Sequence, residues 1–202
     1  MPSSEQLEAI ILKTYDVGEA DRFCILFTRE RGRLAVRARG VRKPKSRMGA
    51  MLLALRPVSL EVKPFGEIFL VSSAVRLSSL GDDVASHTAF SIASQAAELL
   101  LALLQNDAPI PRLFDVLKEL LESCSVPRSP HLSVAFTVRV LHILGLLPEA
   151  GNTSIFHDLS AEERVLVDAS IRGVPLCELR ISSPRRLEQH CSVILGTQLR
   201  IS

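Results

Sequence analysis

The sequence predicts an α+β chain of two domains, a five-stranded β-barrel over residues 1–79 followed by an all-α domain over residues 80–202. Three observations lead there. Short β-branched or aromatic runs, separated by turn residues, fill the first 80 positions. Turn-free runs rich in Ala and Leu follow. Positive charge gathers in one short stretch of the first half.

The first two strands are Ala9–Thr14 and Arg22–Thr28, divided by the Asp16-Val17-Gly18 turn. After a second turn at Arg31-Gly32, Leu34, Val36 and Ala38 alternate with Arg33, Ala35, Arg37 and Arg39. Period-2 alternation sends the apolar set to the core and the three arginines to the opposite face. Gly40 to Gly49, with Pro44, reads as a loop. Val58, Leu60 and Val62 alternate with Ser59, Glu61 and Lys63, and the turn Pro64–Glu67 leads into a last strand, Ile68–Ala74. Five strands in so short a span suit a small closed barrel, for which the OB-fold is the five-stranded candidate. Strand count alone leaves the topology open.

In the second half Thr88–Gln105 reads as a buried helix, with Asp82-Asp83 placed to cap it and Pro109 and Pro111 to break it. Leu113, Phe114, Val116, Leu117, Leu120 and Leu121 recur at helical spacing. Leu132–Leu147 carries Phe136, Val140, Leu141, Ile143 and Leu144 on a wide apolar face, and Gly145 to Gly151 should close it. Ser160 with Glu163 has the spacing of a capping box. Ser183-Pro184 begins a final helix that should end near Gly196.

The net charge is only +2, yet nine Lys or Arg and a single acid, Glu30, lie between Arg29 and Arg47. Elsewhere 15 basic residues face 21 acidic ones, so the basic stretch is a directed electrostatic feature and not a device for solubility. Such clusters neutralise phosphates and bind nucleic acid independently of sequence. Arg33, Arg37, Arg39, Arg42, Lys43, Lys45 and Arg47 are the candidate phosphate contacts. Tyr15 and Phe65, in turn regions, are the candidate stacking residues, whereas Phe27 shares parity with Phe23 and Ile25 and reads as core.

No Gly-x-Ser-x-Gly, Walker loop or His-Glu-x-x-His occurs, so no enzyme and no cofactor are expected. Cys24, Cys124, Cys177 and Cys191 stand far apart, and a metal site is not expected from them. An enzyme would have to draw on scattered residues such as His142, His190 and Cys191. The N-terminus has no charged and then apolar leader, and no apolar run is long enough to cross a bilayer, so a cytoplasmic, nucleoid-associated protein with reduced thiols is expected. Asn152-Thr153-Ser154 matches a glycosylation sequon without meaning in that compartment.

These residues resemble the bacterial recombination mediator family RecO. The likeness rests on Ala9-Ile10-Ile11-Leu12-Lys13 with Gly18-Glu19-Ala20-Asp21-Arg22, on Phe27-Thr28 with Gly32, and on Ala38 to Lys43 with Ser46-Arg47. It continues through Leu113-Phe114 with Leu117, Phe136 to Leu141 with Leu144 to Pro148, and Leu195-Gly196 to Ser202. The resemblance implies an N-terminal OB barrel, a helical second domain and no catalytic turnover. It implies binding of single- and double-stranded DNA, annealing of complementary strands, and help in loading a recombinase onto coated strands. RecR and the acidic C-terminal tail of single-strand-binding protein (SSB) are the implied partners. Arg139, matching a family helix position, is assigned to the rim of the pocket for that tail. Many family members carry a four-cysteine zinc module after the Leu-Leu-Pro, but Glu149 to Glu163 holds no cysteine, so the module around 149–182 is absent or rebuilt without metal. The rival reading is an RNA-binding or ribosome-associated OB protein with the same basic strand.

Overall fold

Alternating burial builds the first half of the chain, as the computed structural model shows for residues 4–77; it also describes 87–124, 131–147 and 157–198. Five strands form: β1 (Glu5–Val17), β2 (Asp21–Thr28), β3 (Gly32–Ala38), β4 (Pro57–Phe65) and β5 (Ile68–Arg76). They close into a barrel in the order β1-β2-β3-β5-β4, every neighbouring pair antiparallel except β3 with β5. That connectivity is the OB topology which strand count had left open. Leu7, Ala9 and Ile11 of β1, Cys24 and Leu26 of β2, Leu34 and Val36 of β3, and Val58, Leu60 and Val62 of β4 fill the interior. A bulge in β1 between Ile11 and Lys13 shifts its register.

The second half is α1 (His87–Leu103), α2 (Pro111–Ser123), α3 (Leu132–Ile143), α4 (Ala161–Arg172) and α5 (Arg185–Gln198). The helix spacing predicted for each is met to within a few residues. Ser160 and Glu163 complete the expected capping box of α4, and Gly173, at φ 81°, ends that helix in the left-handed conformation that glycine adopts without strain. The Glu163 carboxylate also accepts from the backbone of Arg186 and Leu187, so the cap ties α4 to α5. Burial alone would raise its pKa, but these backbone donors outweigh burial and hold it below the usual value. The expected cap Asp82-Asp83, the sequon Asn152-Thr153-Ser154 and the domain boundary near 78–83 lie outside the described residues.

The two halves share one hydrophobic core. Ile10, Leu12, Phe27 and Leu55 point out of the barrel and join the cluster formed by the helices. Phe27 meets Phe114 of α2 with ring centroids 5.8 Å apart and planes tilted by 54°. Burying two such side chains stabilises the junction by roughly 1.5–3 kcal/mol each. Phe27 is core, as its sequence parity suggested, but of the core between the domains and not of the barrel.

Gly32 makes the junction possible. Its φ of +71° suits glycine, and a Cβ there would stand 2.1 Å from the carbonyl oxygen of Ala108. The chain from α1 to α2 thus lies against the start of β3, where Asp107 N–H donates to Arg33 O at 3.1 Å.

Candidate nucleic-acid interface

The alternation in β3 places Arg33, Arg37 and Arg39 outward, but their guanidinium groups do different things. Arg33 donates to Asn106 Oδ1 at 2.8 Å and to the Leu101 carbonyl at 2.7 Å, binding the barrel to the end of α1. Arg31 pairs with Asp107 at 3.0 Å and with Glu5 at 3.3 Å, and Arg29 pairs with Asp115 of α2. The first third of the basic stretch is therefore occupied as a clamp between domains, and a phosphate at Arg33 would have to displace those bonds. Arg37 donates through Nε and Nη2 to Asp21 Oδ2 at 3.0 and 2.8 Å. Asp21 also accepts from the Gly40 N–H at 2.9 Å; that bond first, and Arg37 second, hold its carboxyl below the usual range.

Beyond β3 the backbone of the basic stretch is tied to the barrel while several of its cationic side chains face outward. Val41 is buried, and Arg42 N–H donates to the Ala20 carbonyl at 2.9 Å. Gly49 must be glycine because a Cβ would stand 2.2 Å from the Val41 carbonyl oxygen. Arg22 holds the carbonyls of Gly49 and Leu52 at 3.3 and 2.9 Å. Arg42 reaches the Gly18 carbonyl at 2.9 Å and Asp16 at 3.3 Å. Lys43, Lys45 and Arg47 are exposed, and none of them makes an ion pair or side-chain hydrogen bond among the described residues. An open groove of about 660 Å³ runs beside Arg47, lined by Met48, Met51 and the edge of β5 from Ser72 to Arg76.

Two aromatic rings flank this surface. Tyr15 is 46% exposed and Phe65 47%. The Lys13 ammonium sits 5.5 Å from the Tyr15 centroid, and the Arg39 guanidinium 4.9 Å from that of Phe65. Both distances are within cation–π range. Lys13 was not among the candidate contact residues; its place two residues before Tyr15 on the same strand was the available signal.

Arg139, expected at the rim of a pocket, lies in the interior of the helical half. It lies on α3, whose own Leu132, Val134, Ala135, Phe136, Val138, Val140 and Leu141 are buried, while Ser133 and Thr137 keep one side partly open. Only 3% exposed, Arg139 donates to Glu119 of α2 at 2.8 Å, to the Ser170 carbonyl at 3.2 Å, and to the Val174 carbonyl. Burial pulls its pKa below the ordinary arginine value, partly offset by Glu119. The guanidinium caps the C-terminal end of α4, where the helix dipole favours a cation. An arginine so enclosed is committed to internal contacts.

Three of the four thiols, Cys24, Cys124 and Cys191, are buried in this fold. Burial pushes Cys24 and Cys124 up to about 11, and burial with help from Glu188 pushes Cys191 up to about 12. Cys177 is exposed. Among the described residues no group of three or more His, Cys, Asp or Glu is placed to hold a metal ion, and no helix is long and apolar enough to cross a membrane.

A five-stranded barrel with a basic outer strand, fused to five helices, is matched from both sides by known families. The family description "Recombination protein O N terminal" matches residues 1–79, and "Recombination protein O C terminal" matches residues 86–188. The chain belongs to the RecO family. Relatives named "DNA repair protein RecO" include one from Syntrophobacter fumaroxidans, 32% identical over 149 residues, covering 73% of this chain and 60% of that protein. One from a Polaromonas species is 36% identical over 143 residues, covering 69% and 57%. The Bacillus subtilis RecO is 32% identical over 152 residues, covering 70% and 56%. The chain thus spans somewhat under two thirds of the length of these relatives. Both RecO halves are represented, and the junction between them is the Arg29–Arg33 clamp.

Proposed function

We propose that this RecO-family chain acts in DNA repair as a recombination mediator. It binds single- and double-stranded DNA, anneals complementary strands and helps load the recombinase onto SSB-coated DNA, with RecR and the SSB C-terminal tail as partners. Family membership supports the repair role, since the relatives are named DNA repair proteins. One observation supports the DNA reading: Lys43, Lys45 and Arg47 project from a braced loop with no ion pair or side-chain hydrogen bond among the described residues, while the arginines before them are engaged. Cations without partners are the ones that neutralise phosphates and release counterions. Arg37, Arg39 and Arg42 extend the path across the barrel, each already held by a contact that orients it. Arg33 joins this path only at the cost of the clamp, and Arg139 takes no part.

The test is the salt dependence of binding by the full chain. Replacing Lys43, Lys45 and Arg47 together by Ala should reduce the magnitude of the slope of log affinity against log salt by about 2 for single strands. Unchanged slope and affinity would reject the loop as the phosphate site. Tighter binding to structured RNA than to DNA, without annealing of complementary strands, would favour the RNA-binding reading instead.

A further inference from the structure

The loop cations explain affinity for phosphate but give no reason to prefer one strand over two. The rings beside them do. OB barrels bind single strands across the outer face of the second and third strands, between the loop joining the first two strands and the hairpin joining the last two. In this chain Tyr15 stands near the first of those loops and Phe65 at the second, where β4 turns into β5. The register carries the face between them. Tyr15 pairs with Phe23, Phe23 with Arg37, and Arg37 with Leu70 of β5, so these residues form one outward row around the barrel. Strands lie about 4.8 Å apart, so Tyr15 and Arg37 are roughly 10 Å from one another along that row.

Resting on the DNA reading above, we infer that Tyr15 and Phe65 are nucleobase-stacking platforms, each steadied by a cation, and that they give this chain a preference for single strands with intact bases. Each ring keeps an exposed face beside the row of cations, which is the arrangement of a stacking platform next to a phosphate path. Lys13 and Arg39 lie over the two rings, restricting their rotamers and bringing positive charge to where a phosphate adjoins a stacked base. Bases in a duplex are stacked on each other and present no free face, whereas an unpaired strand presents one at every nucleotide. The same cations serve both substrates; only the rings distinguish them.

The experiment compares three probes of equal length on the full chain by fluorescence anisotropy: oligo-dT, the same strand with abasic residues, and duplex DNA. Wild-type protein should bind oligo-dT roughly fivefold or more tighter than the abasic strand. Tyr15→Ala and Phe65→Ala should each weaken oligo-dT by roughly fivefold or more, leave the abasic strand and the duplex unchanged, and leave the salt slope unchanged. Tyr15→Phe and Phe65→Tyr, which keep the rings, should restore binding. Equal affinity of the wild type for oligo-dT and the abasic strand would overturn the inference. So would equal losses on all three probes, which would mark the rings as structural. Failure of the underlying phosphate reading shows in a different arm, as a salt slope that the triple loop variant does not change.

Discussion

Replacing Arg139 by Ala separates a structural arginine from a docking one. In the native chain its guanidinium is enclosed, with the side chain 4% exposed, and it bonds Glu119, the Ser170 carbonyl and the Val174 carbonyl. Glu119 itself spans two elements, because its other oxygen accepts from the Leu176 N–H at 2.6 Å. Removing one member of a buried pair costs about 3–5 kcal/mol. Glu119 is 31% exposed and would rehydrate in part, which favours the low end of that range, about 3 kcal/mol. For a chain of this size that corresponds to a fall in Tm of roughly 6–12 °C. Urea denaturation followed by circular dichroism reads the loss directly. Arg139→Lys should recover only part of it, since an ammonium cannot reach three acceptors in a fixed fork. A loss below about 1 kcal/mol for Arg139→Ala would refute the keystone role.

Two further outcomes follow from the fold. Gly32→Ala places a Cβ on the Ala108 carbonyl at positive φ and should destabilise the chain by about 3 kcal/mol or more; a urea midpoint close to that of the wild type would contradict the close approach. The three buried thiols titrate above their unfolded value, so their contribution to stability is complete below about pH 8.5 and is lost as pH rises towards 11–12. At pH 8 a thiol reagent should therefore modify Cys177 quickly and the other three only on unfolding; four fast thiols would disprove their burial.

Strand parity was legible from the residues themselves, because a two-residue period needs only neighbours. Leu34, Val36 and Ala38 are buried and Arg33, Arg37 and Arg39 are not, as the pattern requires. The partners of those arginines could not be read, since Asp115, Asp107 and Asn106 lie 86, 76 and 73 residues from Arg29, Arg31 and Arg33. A count of positive charge treats all nine cations alike, whereas tertiary contact divides them into a clamp, a braced row and a free loop. Arg139 shows the same limit. Apolar periodicity marks one face of α3 as buried, but the wide buried face of this helix takes in its arginine too, and only the neighbouring Glu119 and the end of α4 reveal why it is tolerated. The Ser160–Glu163 cap, by contrast, is a contact over three residues and was visible at once.

The shared core has a consequence for how this protein can be divided. Cut after the fifth strand, the barrel would carry Ile10, Leu12, Phe27 and Leu55 on its outside as an oily patch, beside Arg29 without Asp115, Arg31 with only Glu5 of its two partners, and Arg33 without its acceptors. An autonomous module hides its apolar residues within itself; this one entrusts four of them to a neighbour. The two halves that family descriptions treat separately thus stand or fall as a single cooperative unit. Strain felt by the basic loop has a short path, a few residues of β3, to the seam where the helices begin.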